Sequence, residues 1–338
     1  MVTDGPYAET KEQLEGFAIN KFTDIGRALE AWLKHPCLRV GDVLEIRPGD
    51  EEFNGFPSPS TAGVSGNFTV TAKDPYGNTA TSYRGNVHFT SSDSRATLPA
   101  NYTFTASDNG VHTFSATLKT AGTQSITSTD VSHSTITGTQ SGITITAAAA
   151  SSLSVTGFPS SIVAGTSGNF TVTAFDAYGN LATGYSGTVR FSSSDSRAVL
   201  PANYTFVSSD NGVHSFSAWL KTAATQSITA TDTVKNTSPG TQTGIVVSPA
   251  PTSAYLVSGL PSSIVAGTAA TVTVTAVDAY NNRTTAYRGT AHFTSSDSRA
   301  VLPADYTFTS TDNGAHTFTN GVTLKTAGSQ SVTATNGT

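Results

Sequence analysis

The chain has 338 residues, of which 12% are charged and 37% are hydrophobic, and it contains one cysteine, Cys37. A single cysteine excludes an intrachain disulfide, so that folded parts must be stabilised by burial alone. Residues 1–53 hold 11 acidic and 6 basic side chains, whereas residues 54–338 hold 12 of each sign, so the net charge of −5 belongs to the first 53 residues. Because no basic patch is visible, we expect no nucleic-acid partner.

Neither a membrane span nor a secretion signal is predicted. A candidate for a membrane-spanning helix needs a stretch of about 18 apolar residues. No such stretch occurs in the sequence. The residues after Met1 lack the basic start and apolar run of a signal peptide. We therefore expect no signal peptide in this chain.

The first 52 residues form a leader that differs from the rest. They contain DGPYAETKEQLEGF at Asp4–Phe17, a predicted helix from Asp24, as N-cap, to His35, and the predicted strand LEIRP at Leu44–Pro48. These features resemble the C-terminal half of a YCII-related domain of the DGPF type, with Tyr7 in place of the usual Phe. The resemblance implies half of a small ferredoxin-like α+β fold and, as one alternative, a small-molecule enzyme or binding domain.

Three near-copies of one segment of about 100 residues fill the chain from Phe56 onwards. The runs AKDPYGN, AFDAYGN and AVDAYNN place Asp74, Asp176 and Asp278 at steps of 102 residues. This period exceeds that of solenoid and propeller repeats but equals the size of one β-sandwich. The sequence therefore predicts a series of similar sandwiches.

Alternation of apolar residues with Thr and Ser predicts seven strands in the second copy. One face of each strand is expected in the core; on the second-copy strand NFTVTAF it carries Phe170, Val172 and Ala174. The predicted strands are Ser152–Thr156, Asn169–Phe175, Thr188–Ser192, Tyr204–Phe206, His214–Leu220, Gln226–Ala230 and Gly244–Val247.

Turn sequences such as DPYGN and SDNG separate these strands. The third copy carries Asn281 where the first two carry Gly77 and Gly179. Since Asn is the residue other than Gly that best tolerates a positive φ, we predict a left-handed backbone at all three positions.

The order DxxGN, VxFTSSD and DNGVHTFSATLKTAGTQSITATD resembles bacterial immunoglobulin-like repeats of adhesin and filamin type. The resemblance implies a mainly β chain: three tandem immunoglobulin-like β-sandwich modules after a small truncated α+β segment. The expected division is a partial YCII-related segment at 1–52 and repeats at 53–148, 149–250 and 251–338, the last without its final strand. Short linkers predict a monomeric rod.

Repeated oxygen-bearing side chains suggest calcium as a candidate ligand. We expect them to lie near one end of each sandwich. The alternative interpretation is that Asp and Asn in these turns cap their own backbone. The candidates are Asp74, Asn78, Asp93, Asp176, Asn180, Asp195, Asp278, Asn282 and Asp297. The histidines His112, His214 and His316 also recur and are expected on strand surfaces.

The sequence favours a non-enzymatic structural or adhesive module of a bacterial cell-surface or secreted protein, acting as a spacer or stalk. No catalytic residues are predicted, and no nucleophile elbow of GxSxG type occurs. A partner would be a surface ligand, if there is one. The alternatives are enzyme or binding activity in the leader, and carbohydrate or protein binding by the repeats.

Overall fold

The computed structural model describes residues 43–46, 55–234 and 237–337. In these residues nearly all regular structure is β, apart from two short 3-10 helices at Ala106–Asp108 and Ser208–Asp210. The chain is therefore mainly β, as predicted. It divides into two compact units, of which unit 1 comprises residues up to Ala149 together with Asp176–Leu181, and unit 2 comprises Ala150–Phe175 with Ala182–Thr338.

Unit 1 contains the strands of the first repeat. They are β1 (Val43–Ile46), β2 (Ser60–Thr61), β3 (Ser65–Lys73), β4 (Asn86–Ser91), β5 (Tyr102–Thr103), β6 (Val111–Thr117), β7 (Gly122–Asp130) and β8 (Thr137–Thr146). One sheet has the order β1-β3-β6 and the other β2-β8-β7-β4-β5. All pairs are antiparallel except β2 with β8.

Alternation along the strands places one face of each sheet in the core of unit 1. On β3, Phe68, Val70 and Ala72 are fully buried, and on β4 Val87 and Phe89 are buried. The rings of Phe68 and Phe89 meet edge to face with centroids 5.7 Å apart. These rings therefore join the two sheets of the first repeat.

The strand β1 corrects the interpretation of the leader. The resemblance of the leader places Leu44–Pro48 in a YCII-related half-domain, but Val43–Ile46 pairs antiparallel with β3 and completes the first sheet. In the third repeat the equivalent strand begins at Ala254, which pairs with Val277.

The position of β1 departs from the repeat period. Two steps of 102 residues before Ala254 is Asp50, but the strand begins seven residues earlier, at Val43. The acidic run at 50–52 is a poor strand, so a more apolar segment upstream takes its place in the sheet.

Unit 2 contains the strands of the second and third repeats. Those of the second are β9 (Ala150–Thr156), β10 (Ser161–Val163), β11 (Ser167–Asp176), β12 (Thr188–Ser193), β13 (Tyr204–Thr205), β14 (Val213–Trp219), β15 (Thr225–Asp232) and β16 (Gly240–Ser248). Those of the third are β17 (Ala254–Ser258), β18 (Ala269–Val277), β19 (Thr290–Ser295), β20 (Tyr306–Thr307), β21 (Ala315–Thr323) and β22 (Val332–Gly337).

The second repeat has the strand order of an immunoglobulin-like sandwich. One sheet is β14-β11-β9, and the other is β10-β16-β15-β12-β13, with β10 parallel to β16. The chain therefore leaves the first sheet after β9 and joins the second through β10. In the third repeat the described sheets are β17-β18-β21 and β20-β19-β22. Each repeat has its own buried apolar cluster.

The predicted left-handed backbone is present at all three turn positions. The φ angles are 88° at Gly77, 75° at Gly179 and 59° at Asn281. The exchange of Gly for Asn in the third repeat therefore follows the conformation, which few other residues adopt at low energy. Each of these three positions lies in a short segment of its repeat that carries the candidate site.

Candidate functional site: the aspartate loops and their sockets

Each repeat carries a five-residue segment, here called the aspartate loop, at residues 74–78, 176–180 and 278–282. In the second repeat, Asp176 Oδ1 accepts the N–H groups of Tyr178 (2.9 Å) and Asn180 (2.8 Å). Asp176 Oδ2 accepts the Asn180 side-chain amide (2.8 Å) and the N–H of Ala148 (2.9 Å). Burial works to raise the pKa of Asp176, but these hydrogen bonds outweigh it and lower the pKa.

The first and third aspartate loops have the same internal hydrogen bonds. In the first, Asp74 Oδ1 accepts the N–H groups of Tyr76 and Asn78, each at 2.9 Å. In the third, Asp278 makes the equivalent bonds, and its Oδ2 accepts the N–H of Ala250 at 2.9 Å. The aspartate therefore fixes the shape of each loop from within.

A second buried aspartate organises what we call the socket, formed in the first repeat by Gly63, Asp93, Arg95 and residues 118–121. Asp93 Oδ1 accepts the N–H of Arg95 (3.0 Å) and the hydroxyl of Thr120 (2.5 Å). Asp93 Oδ2 accepts the N–H groups of Lys119 (2.5 Å) and Thr120 (2.9 Å). Burial by itself would raise the pKa of Asp93. The hydrogen bonds from the Thr120 hydroxyl and the three amides outweigh this effect, so the pKa is lowered overall.

Within unit 1, the socket of the first repeat binds the aspartate loop of the second. Asn180 Oδ1 accepts hydrogen bonds from Arg95 Nη2 (3.0 Å) and the N–H of Ala121 (3.1 Å). Asn180 Nδ2 donates to the carbonyl of Lys119 (2.8 Å), in addition to its bond within the loop. Arg95 Nη1 also donates to the Tyr178 carbonyl. All four hydrogen-bonding positions of the buried Asn180 amide are thereby satisfied.

The aromatic residue of the same loop makes the apolar part of the contact. Tyr178 packs against the buried cluster of the first repeat. Its hydroxyl lies so close to Gly63 that a Cβ at this position would overlap it. The Tyr178 ring therefore leaves no space for a side chain at Gly63.

Unit 2 repeats the contact between the second and third repeats. Arg197 Nη2 and the N–H of Ala223 donate to Asn282 Oδ1, each at 3.0 Å, and Asn282 Nδ2 donates to the Lys221 carbonyl at 2.7 Å. The Lys221 ammonium group lies 5.8 Å from the centre of the Tyr280 ring. The socket aspartate, Asp195, accepts four hydrogen bonds, as Asp93 does.

The nine calcium candidates do not form in each repeat the one group that the sequence predicts. Asp93 does not join the loop of its own repeat; it supports residues 119–121, which contact the loop of Asp176 and Asn180. Asp195 is related in the same way to the loop of Asp278 and Asn282. Among residues 55–234 and 237–337, no three His, Cys, Asp or Glu side chains are close enough to hold a metal ion.

Calcium is not expected to stabilise the protein through these residues. Both oxygens of Asp93, Asp195 and Asp297 accept N–H or O–H groups, and a cation would have to displace those donors. We expect the same thermal midpoint for the full chain in millimolar calcium and in excess chelator. Differential scanning calorimetry tests this. A calcium-dependent rise that Asp195→Asn abolishes would restore the metal interpretation.

Two recurring polar contacts were not predicted. His112 Nδ1 lies 2.7 Å from Asp108 Oδ1, and its ring stacks on Tyr102 at 4.0 Å between centroids, so that His112 is half-buried. Tyr83 donates from its hydroxyl to Asp130 Oδ2 at 2.5 Å, and burial together with this carboxylate raises the pKa of Tyr83. Both contacts recur in the second repeat. His214 lies beside Asp210 and stacks on Tyr204, and Tyr185 donates to Asp232.

No helix among the described residues is long and apolar enough to cross a membrane. No family model and no curated protein matches the chain. The resemblance of the leader to a YCII-related domain therefore has no support from these comparisons. Its motif at Asp4–Phe17 and its predicted helix lie outside the described residues.

Several solved structures are similar to this chain. FdeC, an Escherichia coli adhesin, has 19% identity and a TM-score of 0.41, and the match covers 89% of this chain and 94% of that chain. InvD of Yersinia pseudotuberculosis has 17% identity and a TM-score of 0.32, and 85% of each chain is covered. A β-glycosidase from Bacteroides vulgatus has 12% identity and a TM-score of 0.28, with 61% of this chain and 25% of that chain covered.

Proposed function

We propose that the chain is a non-enzymatic spacer or stalk of a bacterial cell-surface or secreted adhesive protein, built from three tandem immunoglobulin-like modules. The observation that carries the proposal is the contact between socket and aspartate loop, which forms twice with the same residue types. The bacterial surface setting follows from the resemblance of the repeats to bacterial immunoglobulin-like repeats.

A spacer must hold its modules in a defined relation, whereas modules on a flexible linker move relative to each other by default. In unit 2 the linker itself is fixed, because the N–H of Ala250 donates to Asp278. Arg197 and Asn282 then join the second repeat to the third. Since the Asn282 amide is buried and fully hydrogen-bonded, tilting the repeats apart would leave polar groups unsatisfied.

The proposal predicts that Arg197→Ala loosens the joint between the second and third repeats. We would attach spin labels at Ser209→Cys and Thr311→Cys, both exposed, in the full chain with Cys37→Ser. Distances from double electron–electron resonance should be narrowly distributed in this background and clearly broader with Arg197→Ala.

Arg190→Ala is the matched control, because it removes an exposed arginine of the same repeat that lies on β12. It should leave the distribution unchanged. A broad distribution in the unmutated background would refute a spacer role. Equal broadening by both arginine substitutions would show that lost charge, and not the loss of the joint, is responsible.

A further inference from the structure

The sheet β14-β11-β9 of the second repeat has an outer face with uncharged side chains. The strands β11 and β14 run antiparallel, with Ser167 opposite Trp219 and Asn169 opposite Ser217. Directly opposite residues of an antiparallel pair lie on the same face of the sheet, and so do residues two positions apart along a strand. No residue of this face between 167 and 173 or between 213 and 219 is charged.

Trp219 lies at one end of this face and is 38% exposed. The equivalent residues of the first and third repeats are Thr117 and Thr323, which end the corresponding strands β6 and β21. Since threonine serves at this position in two repeats that form the same strands, the requirements of folding do not explain the ring. An indole that is not needed for packing and that remains exposed is a candidate contact for a ligand.

The backbone of Trp219 is fixed on both sides. Its N–H donates to the carbonyl of Val199 at 3.0 Å, and the N–H of Val199 donates to its carbonyl at 2.9 Å. On the other side of β14, Trp219 pairs with Ser167 of β11. Only two side-chain torsions of Trp219 then have to be fixed when a ligand binds, which keeps the entropic cost low. Val199 is 43% exposed and adds apolar surface beside the ring.

Hydrogen-bonding groups follow the ring along the same face. Ser217 Oγ donates to Asn169 Oδ1 at 2.7 Å, an orientation that leaves the amide NH₂ group of the exposed Asn169 as a donor. On the next pair of residues, the hydroxyls of Thr171 and Ser215 lie 3.1 Å apart. Residues of one face are about 7 Å apart along a strand, so the row from 219 to 213 is about 20 Å long.

The cationic residues nearest to Trp219 in its surroundings are directed elsewhere. Arg197 Nη2 donates to Asn282, and the Lys221 ammonium group lies 5.8 Å from the centre of the Tyr280 ring. The face therefore offers an apolar ring beside neutral hydroxyl and amide groups, without a counterion for a charged ligand. A pyranose ring with equatorial hydroxyls has the complementary chemistry, because its C–H groups form a flat apolar surface and its hydroxyls surround the edge.

We propose that Trp219 and the adjacent polar row at Ser167, Asn169 and Ser217 bind a neutral oligosaccharide of pyranose units with equatorial hydroxyls. The indole would stack on the C–H face of one sugar ring, since the face of an aromatic ring is electronegative. Asn169 and Ser217 would form hydrogen bonds with hydroxyls of the next sugar unit along the row. The inference concerns the surface of the second repeat and does not depend on the spacer role.

The expected affinity is low, because the face is open. A pocket buries most of the surface of its ligand, whereas this face desolvates one side of a sugar ring. One stacked ring and a few hydrogen bonds that remain in contact with water correspond to a dissociation constant on the order of 1 mM.

Saturation-transfer difference NMR of the full chain with cellopentaose tests the proposal, since the ring hydroxyls of this sugar are neutral and equatorial. The unmutated chain, with a reductant for Cys37, should transfer saturation to the C–H protons of the sugar. Trp219→Thr should abolish the transfer, and this variant carries the residue that the other two repeats have at the position.

A matched pair of asparagine substitutions tests the polar row. Asn169→Ala should weaken binding about threefold to tenfold, because it removes a hydrogen bond to the sugar. Asn67→Ala is the control. Asn67 is the equivalent residue on β3 of the first repeat, where Thr117 stands in place of the tryptophan, so this variant should bind as the unmutated chain does.

Fluorescence tests whether the ring itself contacts the sugar. With Trp32→Phe, Trp219 is the remaining tryptophan, and its emission should change with cellopentaose but not with an equal mass of sorbitol. The absence of saturation transfer at about ten times the expected dissociation constant overturns the proposal. So does transfer that Trp219→Thr leaves unchanged, since the sugar would then bind to a different surface.

Discussion

Replacing Asp195 by alanine should destabilise the second repeat by about 3 to 5 kcal/mol. The side chain is buried and accepts hydrogen bonds from three amides and one hydroxyl, at Arg197, Lys221 and Thr222. Alanine would leave these donors without an acceptor in a place that water reaches poorly. The loss would also release the turn at 221–223, which contacts the loop of Asn282.

Urea unfolding followed by tryptophan fluorescence measures this effect. The chain has two tryptophans, so Trp32→Phe leaves Trp219 of the second repeat as the reporter. Asp297→Ala is the control, because it removes the same four hydrogen bonds from the third repeat. Asp297→Ala should change the free energy of unfolding that Trp219 reports by less than about 1 kcal/mol. An unchanged midpoint for Asp195→Ala would show that the carboxylate does not support the socket.

The regular strands were predictable because their alternation is strong. All seven strands predicted for the second repeat exist, and their bounds differ from the prediction by at most four residues at an end. The strand β10 was missed, since Ser161–Val163 is too short to show a period of two and begins at the last residue of a Pro-Ser-Ser run. The strand β1 was assigned to the leader, because an insertion shifts it out of the 102-residue step.

The site was less predictable than the fold, for a reason inherent in tandem repeats. Sequence equivalence marks Asp93, Arg95 and Asn78 as recurring residues, but it does not say which copy of a residue contacts which. The structure joins Arg95 to Asn180, 85 residues away, and not to Asn78. The recurrence of Arg in SSDSRA and of Tyr in the loops was the available signal, and only a three-dimensional arrangement could connect the two.

A matched pair of glycine substitutions separates the joint from the fold. Gly165 and Gly267 are equivalent residues with φ angles of 82° and 87°, so alanine at either position adopts an unfavourable backbone at a cost of about 1–2 kcal/mol. Only Gly165 has a tyrosine of the next repeat, Tyr280, against it. Gly165→Ala must therefore also displace that ring, whereas Gly267→Ala meets open space.

Gly165→Ala is expected to broaden the distance distribution between labels at 209 and 311, as Arg197→Ala does, and Gly267→Ala is not. In urea, Gly165→Ala should destabilise the second repeat by about 3 kcal/mol, the sum of the backbone term and the lost packing of one tyrosine. Gly267→Ala should affect only the third repeat, by the backbone term alone. Equal distance distributions for the two variants would mean that Tyr280 does not hold the second and third repeats together, and the spacer proposal would lose its apolar support.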